Sequence, residues 1–161
     1  MVARWPGYSE RWWCIGCGSA WAQCCHVSRH YHSGVQLYGD VDLGRNVNLS
    51  APSEINATGS HVTIGDDCDL AAYVVLNVAD SSDRCLERSS EIKREPIALG
   101  HHVFVGSHVF IGGGVTIGHH SKIAPGVMLT GQLVVPPFSL VTPSRDRSVS
   151  VRGGYYTGGE K

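Results

Sequence analysis

The sequence predicts an all-β chain wound into a parallel coil of six-residue repeats, and three observations predict it. The first is a period. From Leu37 an aliphatic residue recurs at every sixth position through Leu43, Leu49 and Ile55, again through Ile64, Leu70 and Leu76, and again from Leu99 through Val105, Ile111, Ile117, Ile123 and Leu129 to Val135. A repeat of this kind decides the architecture before local propensity does. The second is a companion series two residues earlier, Val35, Val41, Val47, Val62, Val74, Ile97, Val103, Val109, Val115, Val127 and Leu133, broken at Ser53, Cys68 and Ser121. Residues at i and i+2 share one side of a strand. The third is a corner after each strand: Gly44, Gly65, Gly100, Gly106, Gly112 and Gly118 directly follow the key aliphatic residue. Glycine there is expected to take backbone conformations that a Cβ forbids.

Taken in order, residues 1–34 precede the repeats and form an expected cap segment. Trp5, Trp12, Trp13 and Trp21 lie in it, and covering the first coil would protect its otherwise unpaired strand edges. Cys14-x-x-Cys17 followed by Cys24, Cys25 and His26 has zinc-ligand types, but a structural zinc site uses two well-separated pairs and free buried thiols are common, so reduced cysteines without metal, in a cytoplasmic setting, are expected. The apolar stretch 12–22 ends in Ala20-Trp21-Ala22 like a leader's cleavage site, yet it is rich in Trp and Cys and short of Leu.

Residues 35–143 carry the coil. Three hexads close one triangular turn, so the strands make four to five coils at ~4.8 Å each, a prism ~22 Å tall. Two steps break the six. The nine from Ile55 to Ile64 demand a corner bulge at Thr58-Gly59-Ser60, and the twenty-three from Leu76 to Leu99 expel a loop, 77–96, with nine charged side chains. Loops longer than ~12 residues in a compact domain are usually functional or disordered. A β-sandwich would instead space its turns variably, every ~8–12 residues. Residues 144–161 are a C-terminal tail.

Composition narrows the function. A length of 161 residues fits one domain. A formal charge of −1 leaves no basic footprint for nucleic acid, and no run of ~18 apolar residues offers a membrane-spanning helix.

The period also stacks chemistry. His101 and His119 are eighteen residues apart, as are His102 and His120, so each pair shares a corner on successive coils. Excising the seventeen excess residues brings Asp66 and Asp67 into the same columns. Asp67, His102 and His120 form an expected carboxylate-imidazole-imidazole ladder. It could be a base oriented by an acid, a set of metal ligands, or a solvent-facing corner of paired side chains.

The stretch from Pro96 to Gly126, PIALGHHVFVGSHVFIGGGVTIGHHSKIAPG, resembles the hexapeptide-repeat acyltransferases, in particular the galactoside, maltose and other sugar O-acetyltransferases, and VVPPFSLVTPSR (134–145) is similar to their exit segment without its Gly-x-Pro-Ala ending. The resemblance implies a left-handed parallel β-helix, where the generic crossover rule would favour the right hand. It implies acetyl-CoA as acyl donor, a homotrimer with the cofactor between adjacent prisms, and a sugar or sugar-nucleotide acceptor. By matching position, Ser107, Pro125, Thr130 and Gly131 line the cofactor path, and Arg145 and Arg147 contact its phosphates, to which a guanidinium fork is suited. The relatives' loop histidine is missing. Its position falls near Ser81, with Asp80 and Asp83 as weak substitutes, since an exposed Asp near ~3.9 is a poor base. His108, in Gly106-Ser107-His108-Val109, stands where relatives often carry the same residue, with its role open between packing and catalysis. A non-catalytic assembly prism resembling dynactin's hexapeptide-repeat subunits is the second reading. A metal enzyme like the γ-carbonic anhydrases is the third, weakened because their two histidines five residues apart are absent.

Overall fold

A computed structural model describes residues 30, 31, 33–143 and 149–154. The strands stack into three faces of a prism. The first face carries His30–Tyr31, Asn48–Leu49, Asp69–Leu70, Phe104–Val105, Lys122–Ile123 and Leu140–Pro143. Two long strands, Val35–Leu43 and Ser53–Ile64, bend around an edge and serve both other faces. The second face continues with Val75–Asn77, Phe110–Gly112 and Met128–Leu129, the third with Ile97–Leu99, Val115–Ile117 and Leu133–Val135. Neighbouring coils pair in parallel with the eighteen-residue register: Leu99 faces Ile117, and Ile117 faces Val135.

The six-residue period is the interior. Of its fourteen aliphatic positions, twelve are buried. Leu43 is half-buried and Leu37 is 38% exposed, because both belong to the first coil, which has a coil on one side only among the described residues. The three breaks in the companion series are functional to the winding. Ser121 Oγ donates to the carbonyl of Pro136 (3.2 Å) and accepts from the N–H of Ser139 (3.2 Å), while Ser53 Oγ donates to Ser50 O (2.7 Å) and accepts from Val74 N–H (3.2 Å). Cys68 Sγ lies 3.1 Å from Gly100 O and 3.4 Å from Val103 N. A small polar side chain thereby satisfies backbone groups that the corner leaves inside, where an orphan would be costly. Burial pushes the Cys68 thiol above its ordinary value.

Both excursions leave where the period requires. Pairing between Val35–Leu43 and Ser53–Ile64 shifts after Gly39, which faces Ala57 while Asp40 faces His61, so residues 58–60 bulge out. The second excursion is an arm: Ala79–Asp80 pairs antiparallel with Lys93–Arg94, and a helical turn, Ser82–Cys85, lies between them. Arg94 Nε donates to Thr58 O at 3.1 Å, tying the arm to the bulge on one edge.

Glycine does not act as the sequence suggests at the edge between the third and first faces. The left-handed positions there are Asn46, Asp67, His102, His120 and Phe138, with φ of 53° to 57°; Asn, Asp and His are the residues enriched in that region after glycine. Gly65 and Gly100 instead permit close stacking. A Cβ on Gly65 would sit 2.7 Å from the Gly100 carbonyl, and one on Gly100 2.7 Å from His119 N.

The C-terminal tail contributes a strand, Val149–Arg152, antiparallel to Leu140–Pro143. The cap's tryptophans, Cys14, Cys17, Cys24, Cys25 and His26 lie outside the described residues. No described helix is long and apolar enough to cross a membrane.

Candidate active site

The prism has three edges, and each gathers a different chemistry. On the third edge, between third and first faces, the column runs Asn46, Asp67, His102, His120, Phe138. Asn46 Nδ2 donates to Asp67 Oδ1 (2.9 Å), Asp67 Oδ2 is 3.9 Å from His102 Nε2, and the rings of His102 and His120 are 4.6 Å apart. Phe138 stacks on His120 at 5.0 Å. The register thus brings Asp67, His102 and His120 together, although 3.9 Å exceeds hydrogen-bond reach. In the adjoining column Arg45 donates to Asp66 Oδ2 through Nε (3.0 Å) and Nη2 (2.6 Å), and this hydrogen-bonded guanidinium holds the Asp66 carboxyl below its ordinary value. His119 and His120 meet through their Nδ1 atoms at 3.0 Å. Desolvation first, then the neighbouring imidazoles of His102, His119 and His101, lowers the basicity of His120. Among the described residues, no three His, Cys, Asp or Glu side chains converge for a metal.

The first edge, between first and second faces, holds Ser107 and Pro125. Gly106 lets the Pro125 ring pack close, since a Cβ there would lie 2.6 Å from Pro125 N. Gly126 N–H donates to Ser107 O at 3.0 Å. His108 projects from the same corner with φ +60°, and its exposed imidazole stacks on Tyr73, which has φ +63°, at 4.6 Å and 14°. The sequence reading missed Tyr73. Subtracting one coil and the seventeen-residue excess from His108 gives position 73, so the column arithmetic that paired Asp67 with His102 would have found it.

The second edge holds Thr130 and Gly131, both exposed, beside the root of the arm. Gln132 Nε2 donates to Glu95 Oε1 (2.7 Å), which Lys93 also approaches at 3.2 Å. Within the arm, Asp80 Oδ1 accepts the Ser82 N–H (2.8 Å), and that bond holds the Asp80 carboxyl below its ordinary value. Asp83 lies 3.9 Å from Arg88. Both acids are exposed. Between first and second edges, the outward positions of the second face read Val75, Phe110 and Met128 in register, and Met128 is 64% exposed. Ser107, Pro125, Thr130 and Gly131 therefore frame one apolar face, while Asp67 and His102 stand on the edge opposite it. Arg145 and Arg147 lie outside the described residues. Residues 99–143 contain one Lys and neither Asp nor Glu.

A triangular parallel solenoid with an arm at one edge is the left-handed β-helix class, and the comparisons place it further. Residues 96–131 match the family described as bacterial transferase hexapeptide (six repeats). No curated protein matches the chain. Among solved structures it is similar to the polySia-specific acetyltransferase NeuO (27% identity, TM-score 0.59, over 70% of this chain and 51% of that one). It is also similar to galactoside acetyltransferase in complex with coenzyme A (28% identity, TM-score 0.62, over 78% and 62%). A hexapeptide-repeat acetyltransferase of Vibrio cholerae O1 biovar eltor, complexed with acetyl coenzyme A, shares the fold (22% identity, TM-score 0.67, over 78% and 67%). The matched region thus spans about half to two thirds of these relatives' length. Residues 96–131 thus carry the family's repeats, and the described coil is similar in fold to these acetyltransferases.

Proposed function

We propose that the protein is an acyl-CoA-dependent acyltransferase that moves an acetyl group onto a hydroxyl or amine of a sugar or sugar nucleotide. The observation that carries this reading is the framed second face: an apolar strip edged by Ser107, Pro125, Thr130 and Gly131, in a fold similar to two acetyltransferases at 27% and 28% identity. The apolar strip suits a pantetheine arm, and the acid-free segment tolerates the nucleotide phosphates, for which Arg145 and Arg147 are the proposed partners. In this reading the protein works as a homotrimer. Asp67 and His102, on the opposite edge, could serve an acyl group bound to the second face only from a neighbouring copy.

Residues 77–96 contain no histidine, and this favours a second reading, an assembly prism without catalysis. Acetyl-CoA separates the two. A ligand that binds the native state adds ~2.7 kcal/mol at 100 times its Kd, so the enzyme reading expects a rise in thermal midpoint with acetyl-CoA concentration. An unchanged midpoint at millimolar acetyl-CoA would overturn it and leave the assembly reading standing.

A further inference from the structure

We propose that His108 is the base that activates the acceptor and that Tyr73 is its positioning residue. This rests on the acyltransferase reading above. Acyl transfer to a hydroxyl needs a group within hydrogen-bond reach of the proton to be moved, with a basicity suited to neutral pH. The arm has no histidine, Asp80 is committed to the Ser82 N–H, Asp83 faces Arg88, and Glu95 is shared between Gln132 and Lys93. The histidines of the third edge are turned toward one another, toward Asp67 and toward Phe138, on the side of the prism away from the second face.

His108 differs on each count. It follows Ser107 directly and stands on the edge that also carries Pro125, one coil along. It is the histidine of that edge among the described residues, and its ring is exposed. Its left-handed backbone, at φ +60°, turns the side chain out of the strand, and the Tyr73 ring, 4.6 Å away and nearly parallel, limits the orientations of the imidazole. A ring held on a rigid corner by stacking is preorganised for one proton transfer.

The step balances without further reagents. His108 takes the proton of the acceptor hydroxyl as its oxygen bonds to the acyl carbon of acetyl-CoA. The carbon–sulfur bond breaks, and His108 returns the proton to the departing sulfur, giving the acetyl ester and free thiol.

The test compares His108→Asn, whose asparagine tolerates the left-handed corner, with His102→Ala and Tyr73→Leu on the full chain. Acetyl transfer to a panel of sugars is measured together with the acetyl-CoA-dependent thermal shift. His108→Asn is expected to lower kcat/KM by ~10²–10⁴ while keeping the thermal shift. Its residual rate is expected to lose the acid limb of the pH profile expected for the unsubstituted protein. His102→Ala is expected to lower kcat/KM by less than His108→Asn does. Tyr73→Leu should lower kcat more than it raises KM, with Tyr73→Phe restoring the rate. Retained activity in His108→Asn, or a loss in His102→Ala as large as that expected for His108→Asn, overturns the assignment and leaves the acyltransferase reading intact. Absence of any acetyl-CoA shift in the unsubstituted protein overturns both.

Discussion

At His120 a pH dependence follows from a contact between two rings. Its Nδ1 lies 3.0 Å from that of His119, a distance at which one nitrogen can donate and the other accept only while a proton is missing from the pair. Desolvation and the neighbouring imidazoles lower the folded-state pKa of His120. Below the ordinary histidine value of ~6.5 the unfolded chain therefore binds more protons than the native one, and stability falls with falling pH. His120→Asn, which keeps a residue suited to φ +55°, is expected to flatten the decline in thermal midpoint as pH falls below the ordinary histidine value of ~6.5. An unchanged slope would show that the ring pair does not control it. Asp66 acts in the same direction in a more acidic window, because the Arg45 guanidinium lowers its pKa; its contribution holds above ~3.9 and is lost as pH drops further. The stacking of Asp67, His102 and His120 was legible in the spacing, since register belongs to the backbone. The Arg45 fork on Asp66 and the His119–His120 contact were not, because they depend on which rotamer each long side chain takes.

The corners show why strands of two or three residues suffice as elements. Each strand contributes one or two buried aliphatic groups, and the corner must still satisfy its own backbone. Ser121 does so by bridging Pro136 O and Ser139 N. Ser121→Ala is expected to cost about 1–3 kcal/mol, the penalty for leaving buried backbone groups unpaired, as read by chemical denaturation; a value near zero would mean that the corner relaxes to repair itself. In the sequence these serines and Cys68 looked like interruptions of an apolar series, and their donors and acceptors give them their meaning. The arm was legible as an excess of seventeen residues, but its antiparallel ribbon was not, because Ala79–Asp80 and Lys93–Arg94 are too short and too charged to carry a strand period.

For the whole molecule, a period of six was enough to fix closure, register and the placement of both excursions. It did not reveal which exterior face is apolar, since outward positions obey no repeat and only the assembled register aligns Val75, Phe110 and Met128. Exposed apolar strips of this kind mark sites of association or ligand binding. The unsubstituted protein is expected to sediment as three copies. A Phe110→Asp, Met128→Glu double variant should shift it toward one copy by placing uncompensated carboxylates in the interface. Sedimentation unchanged by the pair would remove the second face from the trimer contact.

The strand at Val149–Arg152 runs against the direction of every rung beneath it on that face. A second column arriving end to end would meet a chain of reversed polarity there instead of another step of the same staircase. On that flank the outer edge of the last coil is occupied by the chain's own reversed strand.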